Sequence, residues 1–178
     1  VRSKAAPLVR EVFEDYGLPF NLLVETSLAE SPLVASVFSI LEAVRSDYDR
    51  DAIVRLVRSP FFAFRFDHDG RRTYLSGHEV DRVSIEAQVI RGKGTWSSAL
   101  VSLANQVHDE IARSDGPPEA SPKRFELERI DRVGRGLEWL FAELSALEGD
   151  LTVGQRTDAL RGLLIRFRVA DNIEKDDD

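Results

Sequence analysis

The stretch Arg124-Phe-Glu-Leu-Glu-Arg-Ile-Asp-Arg-Val-Gly-Arg-Gly-Leu-Glu-Trp-Leu-Phe-Ala-Glu-Leu-Ser-Ala-Leu147 carries the longest helical pattern in the chain. Its apolar residues recur three or four positions apart, which predicts a helix with one buried face. The residues predicted to face inward are Phe125, Leu127, Ile130, Val133, Leu137, Leu140, Phe141 and Leu144. Gly134 and Gly136 weaken this helix locally and indicate a close approach by another helix.

Shorter helices are predicted on both sides, because a capping residue or a proline precedes each apolar repeat. Their predicted starts are Pro7, Pro32, a cap at either Asp49 or Asp51, Gly77, Trp96 and Thr152. Two of them are expected to span residues 77–91 and 96–112, the second with Thr95 as its cap. We therefore expect an all-α, irregular domain of roughly six to eight helices. One short strand is expected near the N-terminus, at residues 22–25.

Composition within the chain indicates its organisation. Residues 114–123 concentrate glycine, proline and serine without apolar periodicity, which predicts a linker. Residues 171–178 are rich in aspartate and are expected to form an acidic tail. The helical domain is therefore expected at residues 26–170, after an entry segment at residues 1–25.

The charge balance limits what the chain can bind by itself. Asp and Glu number 31 against 24 Lys and Arg, for a net charge of -7. Neutralisation of phosphates drives nucleic-acid affinity, so we expect weak or no binding of free DNA. The absence of cysteine excludes disulfides, thiolate metal sites and cysteine nucleophiles within the chain. No apolar run is long enough to cross a bilayer, and we expect a cytoplasmic protein with no membrane partner.

The chain contains no methionine and begins Val1-Arg-Ser. A natural reading frame starts with methionine, so we expect a piece of a longer protein, whose function would belong to that parent. Removal of the initiator methionine is the alternative, and the sequence leaves it open.

Four stretches carry a resemblance to a known family. They are Tyr16-Gly-Leu-Pro-Phe20, Ser27-Leu-Ala-Glu-Ser-Pro-Leu-Val34, Leu56-Val-Arg-Ser-Pro-Phe-Phe62 and Ile90-Arg-Gly-Lys-Gly-Thr-Trp96. The first two resemble the place in UvrD-like superfamily I helicases where the second motor domain gives way to its inserted accessory subdomain, called 2B. The last two resemble the B subunit of AddAB-type ATP-dependent helicase-nucleases more closely. The resemblance runs from residue 1 to about residue 171.

The resemblance implies a non-catalytic accessory domain of an ATP-dependent DNA helicase and exonuclease that acts in DNA end processing and recombinational repair. Residues 1–25 would then be the end of the second motor domain. The implied partners are the motor domains of the same parent chain, a second helicase-nuclease subunit and duplex DNA. ATP and Mg would belong to the parent, with no cofactor in this segment. No helicase motif or nuclease carboxylate of the family occurs here, so no catalytic residue carries over.

Arg91-Gly-Lys-Gly94 is the candidate DNA-proximal site that the resemblance suggests. Accessory subdomains of this helicase class contact duplex backbone through glycine-bearing turns, since glycine lets main-chain N–H groups approach phosphate. The candidates are Arg91, Gly92, Lys93 and Gly94. A tight connection between two helices with an incidental lysine is the simpler interpretation, and the sequence leaves both open. The turn lacks the Walker pattern and the preceding strand that a nucleotide site requires.

An aromatic cluster suggests the main alternative function. It comprises Phe61, Phe62, Phe64 and Phe66. Such residues most often belong to a core, but on the surface they would form a docking patch. A stand-alone helical adaptor that binds a protein partner through this patch is the alternative to the helicase domain.

Two other features suggest chemistry less strongly. Residues 67–72 combine aspartates with a histidine, but they lack the ligand spacing of a calcium loop, so we predict a solvated polar loop and no metal site. His68, His78 and His108 are scattered, and no serine nucleophile motif or zinc-protease motif accompanies them. We therefore predict no catalytic residue in this segment.

Overall fold

A computed structural model describes residues 31–113, 121 and 123–169, together with Phe13 and Tyr16. The chain divides into two compact units, Val1–Ala35 and Ser36–Asp178. The described residues of the first unit are Phe13, Tyr16 and residues 31–35. The second unit contains the hydrophobic core.

The described residues form six α-helices, one antiparallel hairpin and a short 3-10 helix. The helices are α1 Pro32–Arg45, α2 Arg50–Val57, α3 Gly77–Glu86, α4 Lys93–Ala112, α5 Arg124–Leu144 and α6 Val153–Arg166. The strands are β1 Arg65–His68 and β2 Arg71–Tyr74, and the 3-10 helix is Ser145–Leu147. The fold is mostly helical, as expected, but the hairpin shows that it is not all-α. The strand expected at residues 22–25 and most of the linker at 114–123 lie outside the described residues.

Side-chain caps fix several helix starts as the sequence predicts. The Asp49 carboxylate accepts a hydrogen bond from the Asp51 amide at 3.0 Å at the start of α2. The Thr152 hydroxyl accepts from the Gln155 amide, and the Gln155 side chain accepts from the Thr152 amide, which completes a capping box. Each cap satisfies amide groups that have no partner inside the helix.

Two boundaries differ from the sequence prediction. Helix α3 ends at Glu86 rather than residue 91, because Gln88 adopts a left-handed conformation with a φ of 53°. Helix α4 begins at Lys93 rather than Trp96, and its N-cap is Gly92, with no side-chain cap from Thr95. Both differences arise because backbone conformation at the α3–α4 connection, and not a hydroxyl cap, sets the helix ends.

The hairpin replaces the polar loop predicted at residues 67–72. Arg65 pairs with Tyr74 and His68 pairs with Arg71, around a turn at Asp69 and Gly70. Both turn residues have positive φ, 51° and 72°, as the two-residue turns of antiparallel hairpins require. The Asp-Gly pair was the available sequence signal, but the strands on either side are short and rich in charge, which masks their alternation.

Helix α5 is the central element of the core. Its inward residues Ile130, Val133, Leu137, Leu140 and Leu144 are at most 2% exposed. It packs against α4, α3, β1 and the 3-10 helix. The predicted inward face is wrong at its first turn, where the Phe125 side chain is 77% exposed.

Gly136 lets the hairpin approach α5 closely. A Cβ atom at this position would lie 2.6 Å from Cδ1 of Leu75 and 2.9 Å from a ring carbon of Phe66. The element that crosses here is therefore the hairpin with the residue after it, and not the helix that the sequence suggested. At Gly134 the nearest atom to such a Cβ is Cδ1 of Leu100 on α4, at 3.9 Å.

The phenylalanine cluster belongs to the core. Phe62, Phe64 and Phe66 are buried, with exposed fractions of 7%, 2% and 4%. Phe62 and Phe64 make edge-to-face contacts with Phe167, whose carbonyl accepts a hydrogen bond from the Ala63 amide at 2.8 Å. These three side chains therefore cannot form the exposed docking patch that the sequence suggested as the alternative. Phe61 is half-buried and packs against the same cluster.

Alanine substitutions at the two glycines of α5 should have opposite effects on the stability of the fold. Gly136→Ala should lower the free energy of unfolding by about 1 to 2 kcal/mol, because overpacking against Leu75 and Phe66 exceeds the gain in helix propensity. Gly134→Ala meets only ordinary contact and should raise it by up to about 1 kcal/mol. Urea denaturation of both variants and the wild type measures the two effects. Stabilisation by both substitutions would show that the hairpin does not pack tightly on α5.

Candidate nucleic-acid interface

Gly92 forms the turn between α3 and α4. Its φ of 87° lies in a region that side chains rarely adopt, which explains why glycine occupies the position. Its amide donates a hydrogen bond to the Asp47 carbonyl at 2.7 Å, and its carbonyl accepts from the Trp96 amide at 3.0 Å. The Gly92 N–H group is therefore bound inside the protein and does not face a phosphate in this structure.

The loop between α1 and α2 holds this turn in place. Asp47 and Tyr48 both have left-handed backbone conformations, with φ of 57° and 56°. The Arg50 amide donates to the Ile90 carbonyl at 2.9 Å, and the indole N–H of Trp96 donates to the Tyr48 carbonyl at 2.8 Å. Left-handed backbone costs a non-glycine residue about 1 to 2 kcal/mol, and these hydrogen bonds between the loops offset that cost. The two connections therefore form one rigid unit.

Lys93 is held by an internal ion pair. Its Nζ lies 2.5 Å from Oε1 of Glu148 and 4.6 Å from the centre of the Tyr48 ring. The Tyr48 hydroxyl donates to the same Glu148 carboxylate. Tyr48, Lys93 and Glu148 thus form a trio that joins the α1–α2 loop, the start of α4 and the segment after the 3-10 helix. The positive charge of Lys93 is largely compensated within the protein.

Protonation of this trio follows from its contacts. Burial raises the pKa of the Tyr48 phenol, and its hydrogen bond to the negatively charged Glu148 raises it further, so the phenol remains a donor. Burial alone would raise the pKa of Glu148, but hydrogen bonds from Lys93 and Tyr48 and the charge of Lys93 outweigh it and lower that pKa. The ion pair is therefore fully formed at neutral pH.

The four predicted DNA-proximal residues lie together at the start of α4 but in different environments. Gly92 and Lys93 are engaged in the contacts above. Arg91 is exposed, and no acidic side chain of the described residues pairs with it. Gly94 lies in the first turn of α4 and borders open space. Arg91 and Gly94 are thus the two members of the site that a ligand can reach without breaking an internal contact.

Two grooves flank the site. The first has a volume of about 710 Å³ and includes Tyr48, Lys93, Glu148 and Arg156 in its lining. The second, of about 610 Å³, runs between α4 and α5 and is mostly apolar. Its apolar lining comprises Trp96, Leu100, Val101, Ala104, Leu127, Ile130, Leu137 and Phe141. The first groove mixes charges of both signs and therefore favours no single class of ligand.

Sequence reasoning missed Tyr48 and Glu148. Glu148 lies 100 positions from Tyr48, and only folding brings the two side chains together. An exposed-looking glutamate before Gly149 carries no local signal of such a contact. His68, from the predicted polar loop, lies at the end of β1, where its Nε2 is 3.8 Å from carboxylate oxygens of Asp69 and Asp131.

Neither a metal cluster nor a membrane-spanning helix is found within the described ranges. No group of three or more metal-binding side chains occurs among these residues. None of their helices is both long enough and apolar enough to cross a membrane.

The trio predicts a pH-dependent contribution to stability. Glu148→Gln should lower the free energy of unfolding at neutral pH by about 1 kcal/mol, because it removes a charged acceptor of two donors. The folded-state pKa of Glu148 is lowered from 4.5, so this contribution is present above pH 4.5 and is lost as the pH falls through the lower folded-state value. Urea denaturation between acidic and neutral pH measures the difference from the wild type.

Glu138→Gln is the matched control, since Glu138 is exposed and its only described ion pair is a long one with Arg135, at 4.0 Å. A Glu148→Gln effect no larger than that of the control, or one that grows towards acidic pH, would contradict the role assigned to the trio.

Comparison with known proteins finds two distant relatives that share one description, the B subunit of an ATP-dependent helicase/deoxyribonuclease. The chain is 22% identical, over 160 residues, to the B subunit from Bacillus velezensis. It is 24% identical, over 118 residues, to the B subunit from Lactococcus lactis subsp. lactis. These alignments cover 90% and 61% of this chain.

The chain spans only 13% and 10% of the length of these relatives. No family model matches the chain, and no solved structure matches it. The similarities therefore indicate a distant relationship to the B subunits of ATP-dependent helicase/deoxyribonucleases.

Proposed function

We propose that this chain is a non-catalytic helical accessory domain of an ATP-dependent DNA helicase-nuclease that acts in DNA end processing and recombinational repair. The observation that carries the proposal is the similarity to a helicase/deoxyribonuclease subunit over 90% of this chain but only 13% of that relative. A match of this kind is expected of one domain of a large subunit.

The contacts of the described residues favour a mechanical role over a catalytic one. Arg50 and Arg58 both pair with Asp81, and Arg132 pairs with Glu79 at 2.5 Å. Paired charges of this kind fasten α2 to α3 and α3 to α5. They hold a rigid shape, which a domain needs if it is to pack on motor domains and position DNA.

In this proposal the parent supplies the chemistry. Its motor domains bind ATP and Mg, and this domain packs on them and on a second helicase-nuclease subunit. Duplex DNA would pass near the exposed Arg91 at the start of α4, in the cytoplasm. The adaptor alternative loses most of its support, because Phe62, Phe64 and Phe66 are in the core.

The isolated chain should hydrolyse neither ATP nor DNA, whereas the complete reading frame that contains it, purified with its partner subunit, should degrade linear duplex DNA only with ATP. Release of phosphate and shortening of a labelled duplex measure the two activities. ATP hydrolysis by the isolated chain, or a complete protein with no ATP-dependent action on DNA, would contradict the proposal.

Arg91→Glu in the complete protein tests the DNA-proximal site. It should weaken duplex binding about threefold to tenfold and reduce the slope of log affinity against log salt by about one, because one phosphate contact is lost. Arg161→Glu is the control, an exposed arginine on α6 whose one described ion pair, with Asp158, is long at 4.0 Å. An unchanged affinity and salt slope, or the same loss in the control, would remove Arg91 from the interface.

A further inference from the structure

We infer that the outer face of the β1–β2 hairpin is a contact surface for single-stranded DNA, on which Tyr74 stacks an unpaired base and nearby arginines bind phosphate. We call this surface the hairpin face and define it by Arg65, Arg72 and Tyr74, together with Arg71 at the tip of the hairpin. The inference rests on the proposed function for the identity of the nucleic acid as DNA. It places a DNA contact outside the α3–α4 turn.

The register of the hairpin puts Arg65, Arg72 and Tyr74 on its solvent side. Side chains alternate between the two faces of a strand, and directly paired residues share a face. Phe66 and its partner Thr73 face the core, and Phe66 is 4% exposed. Arg65 with Tyr74, and Asp67 with Arg72, therefore face outward. Arg71 pairs with His68 and so belongs by register to the other face, but it directly follows the turn and is exposed at the tip of the hairpin.

Tyr74 provides a stacking platform. The side chain is 54% exposed, and the guanidinium carbon of Arg65 lies 4.8 Å from the centre of its ring. Stacked arginine covers one side of the ring and fixes its orientation. An aromatic ring held in this way presents its other side to a base. Stacking on exposed aromatic rings is how proteins bind single strands without reading sequence.

The arginines of the hairpin face have no acidic partner among the described residues, unlike most arginines of the helices. Within the described part of the chain, no carboxylate lies within ion-pair distance of Arg65, Arg71 or Arg72, whereas Arg132 and Arg166 each have one at 2.5 Å. Unpaired guanidinium groups are suited to bind phosphate, since they present several donors at a fixed geometry.

Two aspartates limit the strength of the surface. Asp67 lies on the same face, where its Oδ1 accepts a hydrogen bond from the Gly70 amide at 3.0 Å, and Asp69 is exposed in the turn. They offset part of the arginine charge. We therefore expect modest affinity that falls steeply with salt, which is consistent with a chain of net charge -7.

The base of the hairpin is rigid. Phe66 and Leu75 pack on α5 at Gly136, and the Leu75 amide donates to the Phe64 carbonyl at 2.9 Å. The hairpin face is thus held on a fixed support. A fixed platform loses little conformational entropy when a flexible strand binds to it.

Single-stranded DNA fits this surface better than duplex. A base inside a duplex has both faces covered by its neighbours and cannot stack on Tyr74. An unpaired base has a free face, and the backbone of a single strand is flexible enough for its phosphates to reach the neighbouring arginines. The tyrosine therefore distinguishes the two forms of DNA, while the arginines contribute to both.

The test is fluorescence anisotropy of the 178-residue chain with a labelled oligothymidine and with a blunt duplex of equal length, at low salt. Arg71→Glu with Arg72→Glu should weaken single-strand binding about tenfold and lower the salt slope by about one to two. Tyr74→Ala should weaken it by at least about fivefold, while Tyr74→Phe retains binding because the ring remains. Arg55→Glu is the matched control, an exposed arginine on α2 that has no described ion pair.

Three results would overturn the inference. The first is no single-strand binding by the wild type at low salt. The second is unchanged binding by both the double arginine variant and Tyr74→Ala, or an equal loss in Arg55→Glu. The third is that the wild type binds duplex as tightly as single strands and that Tyr74→Ala leaves both affinities unchanged. None of these results bears on ATP-dependent DNA degradation by the complete protein, so failure here is distinguishable from failure of the proposed function.

Discussion

The contact between the hairpin and helix α5 at Gly136 is the constraint on which the rest of the structure depends. Without a side chain at this position, Phe66 and Leu75 reach the backbone of α5. The same approach places the hairpin's inner face in the core and leaves Arg65, Arg72 and Tyr74 on the outside. A single glycine in a central helix thus decides both the packing and the surface that the hairpin presents.

A second constraint joins three connections at the start of α4. The Asp47 and Tyr48 carbonyls accept hydrogen bonds from Gly92 and Trp96, and Glu148 accepts from Tyr48 and pairs with Lys93. Because these groups bond to one another, the backbone of Gly92 and the side chain of Lys93 in the α3–α4 turn are engaged in contacts within the protein. Only the groups at the edge of this turn, Arg91 and Gly94, are accessible to a ligand without breaking these contacts.

Most arginines of the described helices form ion pairs with carboxylates of the same protein. Helix-borne arginines pair with carboxylates on neighbouring helices, as Arg132 does with Glu79 and Arg166 with Glu143. Such pairs between partly exposed groups contribute modestly to stability, but they fix the orientation of one helix on another. A net negative charge is therefore compatible with a local cationic surface, provided that its arginines lack acidic partners. The arginines of the hairpin form no ion pair among the described residues, although Asp67 and Asp69 lie close by and offset part of their charge.

The sequence by itself determined the helical class, the long central helix and the caps at Asp49 and Thr152, because helical periodicity and capping depend on residues a few positions apart. It also carried the resemblance to helicase-nuclease subunits. Tertiary structure decided between the core and a surface patch for the phenylalanine cluster, and it alone brought Glu148 to Lys93. Those outcomes depend on residues far apart in the chain, whose proximity no local pattern encodes.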